Sequence, residues 1–569
     1  MSTLALTKFF LSRYRKETAG IFLGMMFASM SEGLGIMSLV LVVQIMLESD
    51  ISEAPPAVAV IFDSFKYAGL DPNLVNLIAA VGVLILVKAI FLIWAETYAV
   101  RVNTRIAADF RIELIETVVQ SNWQFFTRHR LGRLSNSLHE EATKAAGVYL
   151  ILCRMASHLC NLAIYVFAAA LLSWVLSLTA AIASLFLLRL MKRFVAMSAH
   201  SGARQMVANK EMMSVFSEGL IGMKVLKVMG IEDHLITSLR GEVARLMSAN
   251  FRFGFAKVMT KHIREPFMLM LVTGAAIGYI VFYGSIDGVE LGVFVGMLIL
   301  FQRAINGAGL LQQQYQNLVN TKPFFVSLRE AVQAASLSRE RLDDITIPSF
   351  QGSIKAKDLS VSHLGTEPVL KSVSINLAEG TLTVLVGESG SGKTTLADTL
   401  CGLYLPNKGE IMIGQKVLDK NNIKAWRKQI GYVEQEPFLF HDSVRNNITA
   451  GSDRLEDDWL FEVLRQSECD RFVSSLPAGV ETVVGERGSR LSGGQRQRIA
   501  IARAMYRAPR FLVLDEATNG LDEHTEKEIL ETLSALKGKT TMLFLTHRSQ
   551  VLPFADQVVR LENGTINSV

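Results

Sequence analysis

The residues Gly387-Glu388-Ser389-Gly390-Ser391-Gly392-Lys393-Thr394 follow an apolar run that ends at Val386. A strand, a glycine-rich turn and a lysine opening a helix fit the P-loop pattern. The glycines let backbone N–H groups face phosphate oxygens, and Lys393 brings a point charge to the β/γ-phosphates. Thr394, backed by Thr395, offers a hydroxyl to Mg²⁺, and the helix start directs its positive end at the anion. Further on, Phe511 to Leu514 is a short apolar strand that ends in Asp515 and Glu516. Asp515 is expected to hold Mg²⁺, and Glu516 to polarise an attacking water as general base. Gln435 follows a strand over 429–433 and could reach both the metal and the water without adding charge. His547 follows a strand over 541–545 and could touch the same phosphate, although a lone histidine there also reads as an ordinary strand-end residue.

A second anion site lies on the same stretch of chain. Leu491-Ser492-Gly493-Gly494-Gln495 opens a helix over 496–507, and a Ser-Gly-Gly run at a helix start is again a phosphate cradle. One domain cannot wrap both cradles around one nucleotide, so two domains must meet head to tail. With these residues in order, the chain resembles the ATP-binding cassette (ABC) transporters along its whole length. The resemblance implies that each ATP, with Mg²⁺, lies between the P-loop of one subunit and the Ser492–Gln495 loop of the other, with Asp522 of Asn519-Gly520-Leu521-Asp522 at the interface. Two positions depart from the family's usual residues. His363 stands where an aromatic ring usually stacks on adenine, and Asn519-Gly520 replace Ser-Ala before Leu521-Asp522.

These residues need elements to carry them, and the composition says which. The chain has 569 residues, 50% apolar and 20% charged, with a mean hydropathy of +0.30. That is too apolar for an ordinary soluble enzyme. A net charge of +5 gives no reason to expect nucleic-acid binding, and four scattered cysteines form neither a disulfide framework nor a metal-ligand spacing. Runs long enough to cross a bilayer lie at Gly20–Leu47, Leu74–Tyr98, Val148–Leu172, Leu176–Met197, Pro266–Tyr283 and Leu291–Leu310. The first is longer than a signal-peptide core and is expected to remain as a span. Lys8, Arg13, Arg15 and Lys16 place the N-terminus inside, and acidic Glu48 to Asp71 lie outside. Six spans return the polar half to the cytoplasm. The inner connections, about 101–146 and 199–265, are long and helix-periodic, so spans two to five should continue beyond the membrane. Two interruptions, Phe125–Arg133 and Val228–His234, read as short cross-helices at hairpin tips or as exposed turns.

The resulting expectation is an all-α transmembrane domain of six long helices (residues 1–321), a linker (322–348) and an α/β P-loop NTPase domain (349–569). Six spans fused to one cassette resemble an exporter half-transporter, whose coupling helices the two interruptions would match. The segment 482–488 resembles the exporter stretch that touches such helices. Glu32, Lys88 and Arg303 sit inside spans, where charges are functional candidates. Counting rise per residue puts Glu32 ~18 Å and the two cations ~10 Å above the inner edge. In a dimer the cations could form a basic belt for a phosphate or carboxylate head group. Equally, Glu32 could neutralise Lys88, or the cations could snorkel to the interface. A short apolar helix over 57–67 suits the outer interface. A similar helix occurs in flippases of lipid-linked oligosaccharides, while the 22 methionines suit an adaptable drug-like cavity. The function expected is ATP-driven export or flipping of an amphipathic, lipidic, anionic substrate by a homodimer in a bacterial inner membrane. A multidrug or peptide exporter, an importer on the same fold, and an ATP-gated channel are the alternatives.

Overall fold

The computed structural model describes residues 3–46, 73–129, 131–172, 174–263, 288–340, 350–362, 367–450, 456–519 and 521–567, with isolated positions between 62 and 71 and between 266 and 277. They form two compact units. One comprises residues 1–119 with 129–337, and the other 120–128 with 338–569.

The first unit is helical. Its order is α1 (Thr3–Arg13), α2 (Arg15–Met46) and α3 (Leu74–Val119), then α4 (Trp123–Arg128), which folds with the second unit. It resumes with α5 (Leu131–Asn136), α6 (Ala142–Leu172), α7 (Trp174–Ile221), α8 (Met223–Met229), α9 (Glu232–His262) and α10 (Gly288–Leu337). Among the described residues, three stretches are long and apolar enough to cross a membrane: Arg15–Val43, Leu74–Val119 and Leu134–Leu172. The spans expected at 176–197 and 291–310 fall within α7 and α10. The one expected at 266–283 and the outer helix over 57–67 lie mostly outside the described residues.

Helices of 46, 48 and 50 residues (α3, α7 and α10) reach ~70 Å, more than twice a bilayer core. The sixth helix extends like the others, which loop length alone did not indicate. Residues 322–337, expected in the linker, are the last turns of α10, because Phe325, Leu328 and Ala335 are buried there. Pro323 does not stop the helix. Of the two interruptions, the first is two short helices, α4 and α5. The second overlaps the end of α8, which closes at Gly230 with φ 63°, and the start of α9, so the short helix between α7 and α9 is present but begins earlier, at Met223. Arg13 and Arg329 both bond the Glu113 carboxylate, at 3.0 and 2.7 Å, and the Tyr14 hydroxyl donates to Asp109 at 2.8 Å. These contacts fix α1 against α3 and α10.

The second unit holds two sheets. The small antiparallel one has the order β2-β1-β4-β5, with β1 at Ile354–Ser362, β2 at Pro368–Leu377, β4 at Lys408–Ile413 and β5 at Lys416–Val417. The larger runs β10-β9-β3-β8-β7-β6. Its strands are β3 (Leu382–Val386), β6 (Ile430–Val433), β7 (Phe511–Asp515), β8 (Thr541–Thr546), β9 (Gln557–Glu562) and β10 (Thr565–Asn567). From β9 to β6 these are parallel. Parallel strands require crossovers, and helices α11 (Lys393–Leu400), α12 (Asp457–Gln466), α13 (Gly493–Tyr506) and α14 (Glu523–Ala535) lie in these connections. Strands β3, β7 and β8 are buried nearly throughout, as near-continuous apolar runs demand. Residues 120–128 join this unit through Asn122 N–H donating to Ser338 O at 2.8 Å, Glu340 N–H donating to Gln120 O at 2.9 Å, and a hydrogen bond between Trp123 and Tyr404.

Candidate functional site

Ligands of open α/β sheets bind beyond the carboxyl ends of the strands, and there the sequence-read residues gather. Strand β3 runs into the P-loop, β6 leads to Gln435, β7 ends on Asp515, and β8 leads to His547. The P-loop glycines are required by space and by conformation. A side chain at Gly387 would meet Leu561 O at 2.3 Å, and Gly392 adopts φ +104° just before α11. Lys393 Nζ donates to Gly387 O and Glu388 O at 2.7 and 2.9 Å, folded back over the loop that Ser389 and Gly390 complete. The Ser391 hydroxyl is buried without a hydrogen-bond partner. A buried orphan hydroxyl in an anion cradle fits a site built for a polar ligand.

Strand β8 lies between β3 and β7, yet Thr394 Oγ1 donates to Asp515 Oδ2 at 3.1 Å. A hydroxyl beside a carboxylate is the oxygen pair that a hard divalent cation takes. Burial holds the Asp515 carboxyl above the usual carboxylate range. The Thr394 bond opposes the shift, the Glu516 charge adds to it, and Lys393 opposes it. Burial outweighs Lys393 there, and a bound cation would add the charge that favours the ionised form.

Glu516 is the hub. It accepts from Gln435 Nε2 at 2.8 Å and from Asn519 Nδ2 at 2.7 Å, and its other oxygen lies 3.1 Å from His547 Nδ1. Its φ of +48° is in the left-handed region. Gln435 therefore faces Glu516, where the sequence placed it between metal and water. Asn519 is a partner that sequence reading did not assign, although its position three residues after Glu516 was a usable signal. Asp398 of α11 was also missed. Its carboxyl is pushed up to about 6 by burial and by the charges of Asp515 and Glu434, against a hydrogen bond from Tyr432 at 3.3 Å.

At the second cradle, Ser492 caps α13. Its hydroxyl accepts from Gln495 N–H at 3.2 Å, and the Gln495 side chain accepts from Ser492 N–H at 2.9 Å, leaving Gly493 and Gly494 at the helix start. The reciprocal capping box aims the first turn outward. Asp522 caps α14 through Thr525 N–H at 3.0 Å, and that bond lowers its pKa. Segment 482–484 pairs with 442–444 of the same unit. Thr395 lies in the first turn of α11; His363 lies outside the described residues.

In the helical unit, Lys88 Nζ and Arg303 both meet Glu32 Oε1, at 2.7 and 3.2 Å, and the Tyr165 hydroxyl hydrogen-bonds Glu32. The expected 8 Å offset between the acid and the cations is wrong. Span ends read from hydropathy shift by several residues, and each residue moves the level by 1.5 Å. Neutralisation of Lys88 by Glu32 is found, and Arg303 shares the same carboxylate. The three line a cavity of 240 Å³ together with Glu96, Arg154, His158 and Asn161. Three cations face two carboxylates there, leaving one excess positive charge. Arg154, Ser157, His158, Asn161 and Tyr165 recur at helical spacing on α6, a polar stripe in an apolar span that sequence reading overlooked.

The ABC transporter transmembrane region profile matches residues 20–308, and the ABC transporter profile matches 370–519. An ATP-dependent lipid A-core flippase of Aromatoleum aromaticum is 30% identical over 82% of this chain and 78% of its own. The protein of the same description from Syntrophus aciditrophicus is 28% identical over 82% and 77%. A multidrug resistance ABC transporter ATP-binding and permease protein of Lactococcus lactis is 30% identical over 62% and 59%. A solved bacterial Atm1-family ABC exporter with ATP bound superposes with a TM-score of 0.80 at 20% identity, over 97% of this chain and 94% of that one.

Proposed function

This chain belongs to the ABC transporters as an exporter half-transporter that couples ATP hydrolysis to transport, and from that premise we propose that it works as a homodimer moving an amphipathic, lipidic anion across a bacterial inner membrane. In this reading the cassettes and the N-terminus are cytoplasmic. Each ATP is held by Gly387–Thr395 of one copy and by Ser492, Gly493, Gly494 and Gln495 of the other, with Asp522 at the interface and His363 beside adenine. Thr394, Asp515 and Gln435 would hold Mg²⁺, which neutralises charge on the phosphates when bound. Glu516 would then take the proton of the attacking water, its carboxylate held by Asn519.

Gln435 and His547 now rest on Glu516, so nucleotide arrival has a defined local consequence. Gln435 would then be free to reach Mg²⁺ and His547 to reach the γ-phosphate. Exposed apolar residues on α8, Val225 at 59% and Val228 at 79%, support docking of that helix tip on the partner copy.

The observation that carries the substrate class is the cavity charge. Two cations converge on the buried Glu32 and leave a net positive site inside a span, where an uncompensated charge calls for an anionic guest. The lipid A-core flippases among the relatives support a lipidic one. A multidrug cargo is the second reading, favoured by Met25 in the cavity wall and by the Lactococcus relative.

The test is mass spectrometry of molecules that co-purify with the nucleotide-free protein and with the ATP-trapped Glu516→Gln protein. An anionic lipid enriched only in the nucleotide-free sample is expected. Identical bulk lipid in both samples would count against a lipid cargo. Full turnover by Glu516→Gln would remove the general-base assignment and favour ATP gating without pumping.

A further inference from the structure

A second cavity of 410 Å³ lies between α1, α2 and α6, within the ~300–1,000 Å³ range of ligand sites. Its floor is Phe10, Ile21, Met25, Tyr149 and Cys153, all buried. Leu11 and Phe22 stand at the mouth, 44% and 42% exposed. The hydroxyls in its wall are already paired. Thr18 bonds Tyr149 at 3.1 Å and the Tyr14 carbonyl at 2.7 Å, and Thr7 donates to Thr3 O at 3.1 Å. Water needs two to four polar partners to occupy a cavity, and these walls offer few. An apolar guest fits better.

The wall also carries one charge, Arg15. Arg13 is tied to Glu113, while Lys8, Arg15 and Lys16 have no ionic partner among the described residues. Arg15 is thus a cation without an ionic partner, among the described residues, in the wall of an apolar opening at the start of the first span. An anionic head group at the membrane surface gains ~1 kcal/mol from each such cation.

We propose that this pocket holds one acyl chain of an anionic lipid of the cytoplasmic leaflet, with its phosphate on Arg15. Met25 lines both this pocket and the cavity that contains Glu32, Lys88 and Arg303. The guest is therefore one side chain away from the charged cavity. The site rests on the proposed orientation, with the N-terminus cytoplasmic, and does not depend on the identity of the transported cargo.

Cys153 is a built-in reporter. The full-length protein carrying Cys160→Ala, which removes the half-buried thiol of the same span while Cys401 and Cys469 stay buried, is placed in nanodiscs of phosphatidylcholine with or without phosphatidylglycerol. Maleimide labelling of Cys153 should be about 5-fold slower with phosphatidylglycerol, the ratio given by ~1 kcal/mol. Arg15→Gln should abolish the difference between the lipids, and Ala156→Leu, which fills the pocket, should slow labelling in both. Native mass spectrometry should show one phosphatidylglycerol per chain lost in each variant, with melting temperature as the check on folding. Equal labelling in the two lipids, or undiminished protection in Arg15→Gln, would overturn the proposal. Repeating the measurement with ATP-trapped Glu516→Gln separates the two sources of such a lipid: a resident lipid keeps its protection, and cargo on its way to the charged cavity loses it.

Discussion

Glu516 adopts a left-handed backbone conformation, which costs a glutamate ~1–3 kcal/mol and persists only where its surroundings enforce it. Two amides and an imidazole do so. In the proposed cycle Gln435 and His547 would leave for metal and phosphate, and Asn519 would be the remaining holder of the carboxylate. A hydrogen bond to a charged group is worth ~1.5–3 kcal/mol, so Asn519→Ala should lower kcat ~10-fold or more while the KM for ATP stays unchanged. Asn519→Ser, with a shorter donor, should fall between. A matched rise in KM would instead mark a binding role. Asp398 gives a pH signature. Its folded pKa of about 6 exceeds its ordinary value of 3.8, so the stabilising proton is fully present below pH 4 and is lost as pH rises through 6. The shift corresponds to about 3 kcal/mol at full strength, and to about 1–2 kcal/mol with part of the group open to solvent. Thermal unfolding of the full chain in chelator should therefore show Asp398→Asn gaining on the parent above pH 6 and matching it below pH 4.

Helix α13 serves two ends with one residue. Ser492 closes the capping box and is proposed to face the nucleotide of the partner copy, so its two roles separate by substitution. Ser492→Ala should lose ~1 kcal/mol of stability together with hydrolysis. Ser492→Asp keeps an N-cap acceptor but sets a negative charge against phosphate, so the melting temperature should hold while ATPase activity falls. Turnover equal to the parent in Ser492→Asp would remove the loop from the proposed nucleotide site. The elements themselves were largely legible. Strands β3, β7 and β8 announce themselves as apolar runs closed by Gly387, Asp515 and Thr546, and α11 and α13 by their glycine starts. Less legible were the helix ends. Val228–His234 reads either as a short cross-helix or as an exposed turn, and it holds the turn between α8 and α9, with Gly230 terminating α8. The sixth helix was ended at Leu310 because apolar content drops there, although Phe325 and Leu328 continue to bury one face.

For the molecule as a whole, the cavity is the feature that tests the transport reading. Lys88→Ala with Arg303→Ala leaves the buried Glu32 with the Tyr165 hydroxyl and no cation, and losing the ionic partners of a buried charge costs ~3–5 kcal/mol. The fair comparison is the triple variant with Glu32→Gln, which removes all three charges together. That variant should fold, retain basal ATPase activity and lose most of its substrate-stimulated ATPase. Undiminished stimulation would make the cluster a structural clamp between α2, α3 and α10.

The sequence by itself determined the two-part architecture and the ATP-hydrolysing family, because P-loop, strand-end acids and capped helix start are local patterns whose geometry follows from a few neighbouring dihedrals. It also named the three intramembrane charges, since polarity inside an apolar run needs no fold to be seen. Only the tertiary structure decided that Glu32 binds both cations, that Gln435, Asn519 and His547 converge on one carboxylate, and that residues 120–128 fold with the cassette. Those contacts join positions from three to 271 residues apart (Asn519 with Glu516, Arg303 with Glu32). Hydropathy locates a residue along its own helix to within a turn or so; rotation and register against neighbouring helices follow from packing, which no single segment encodes.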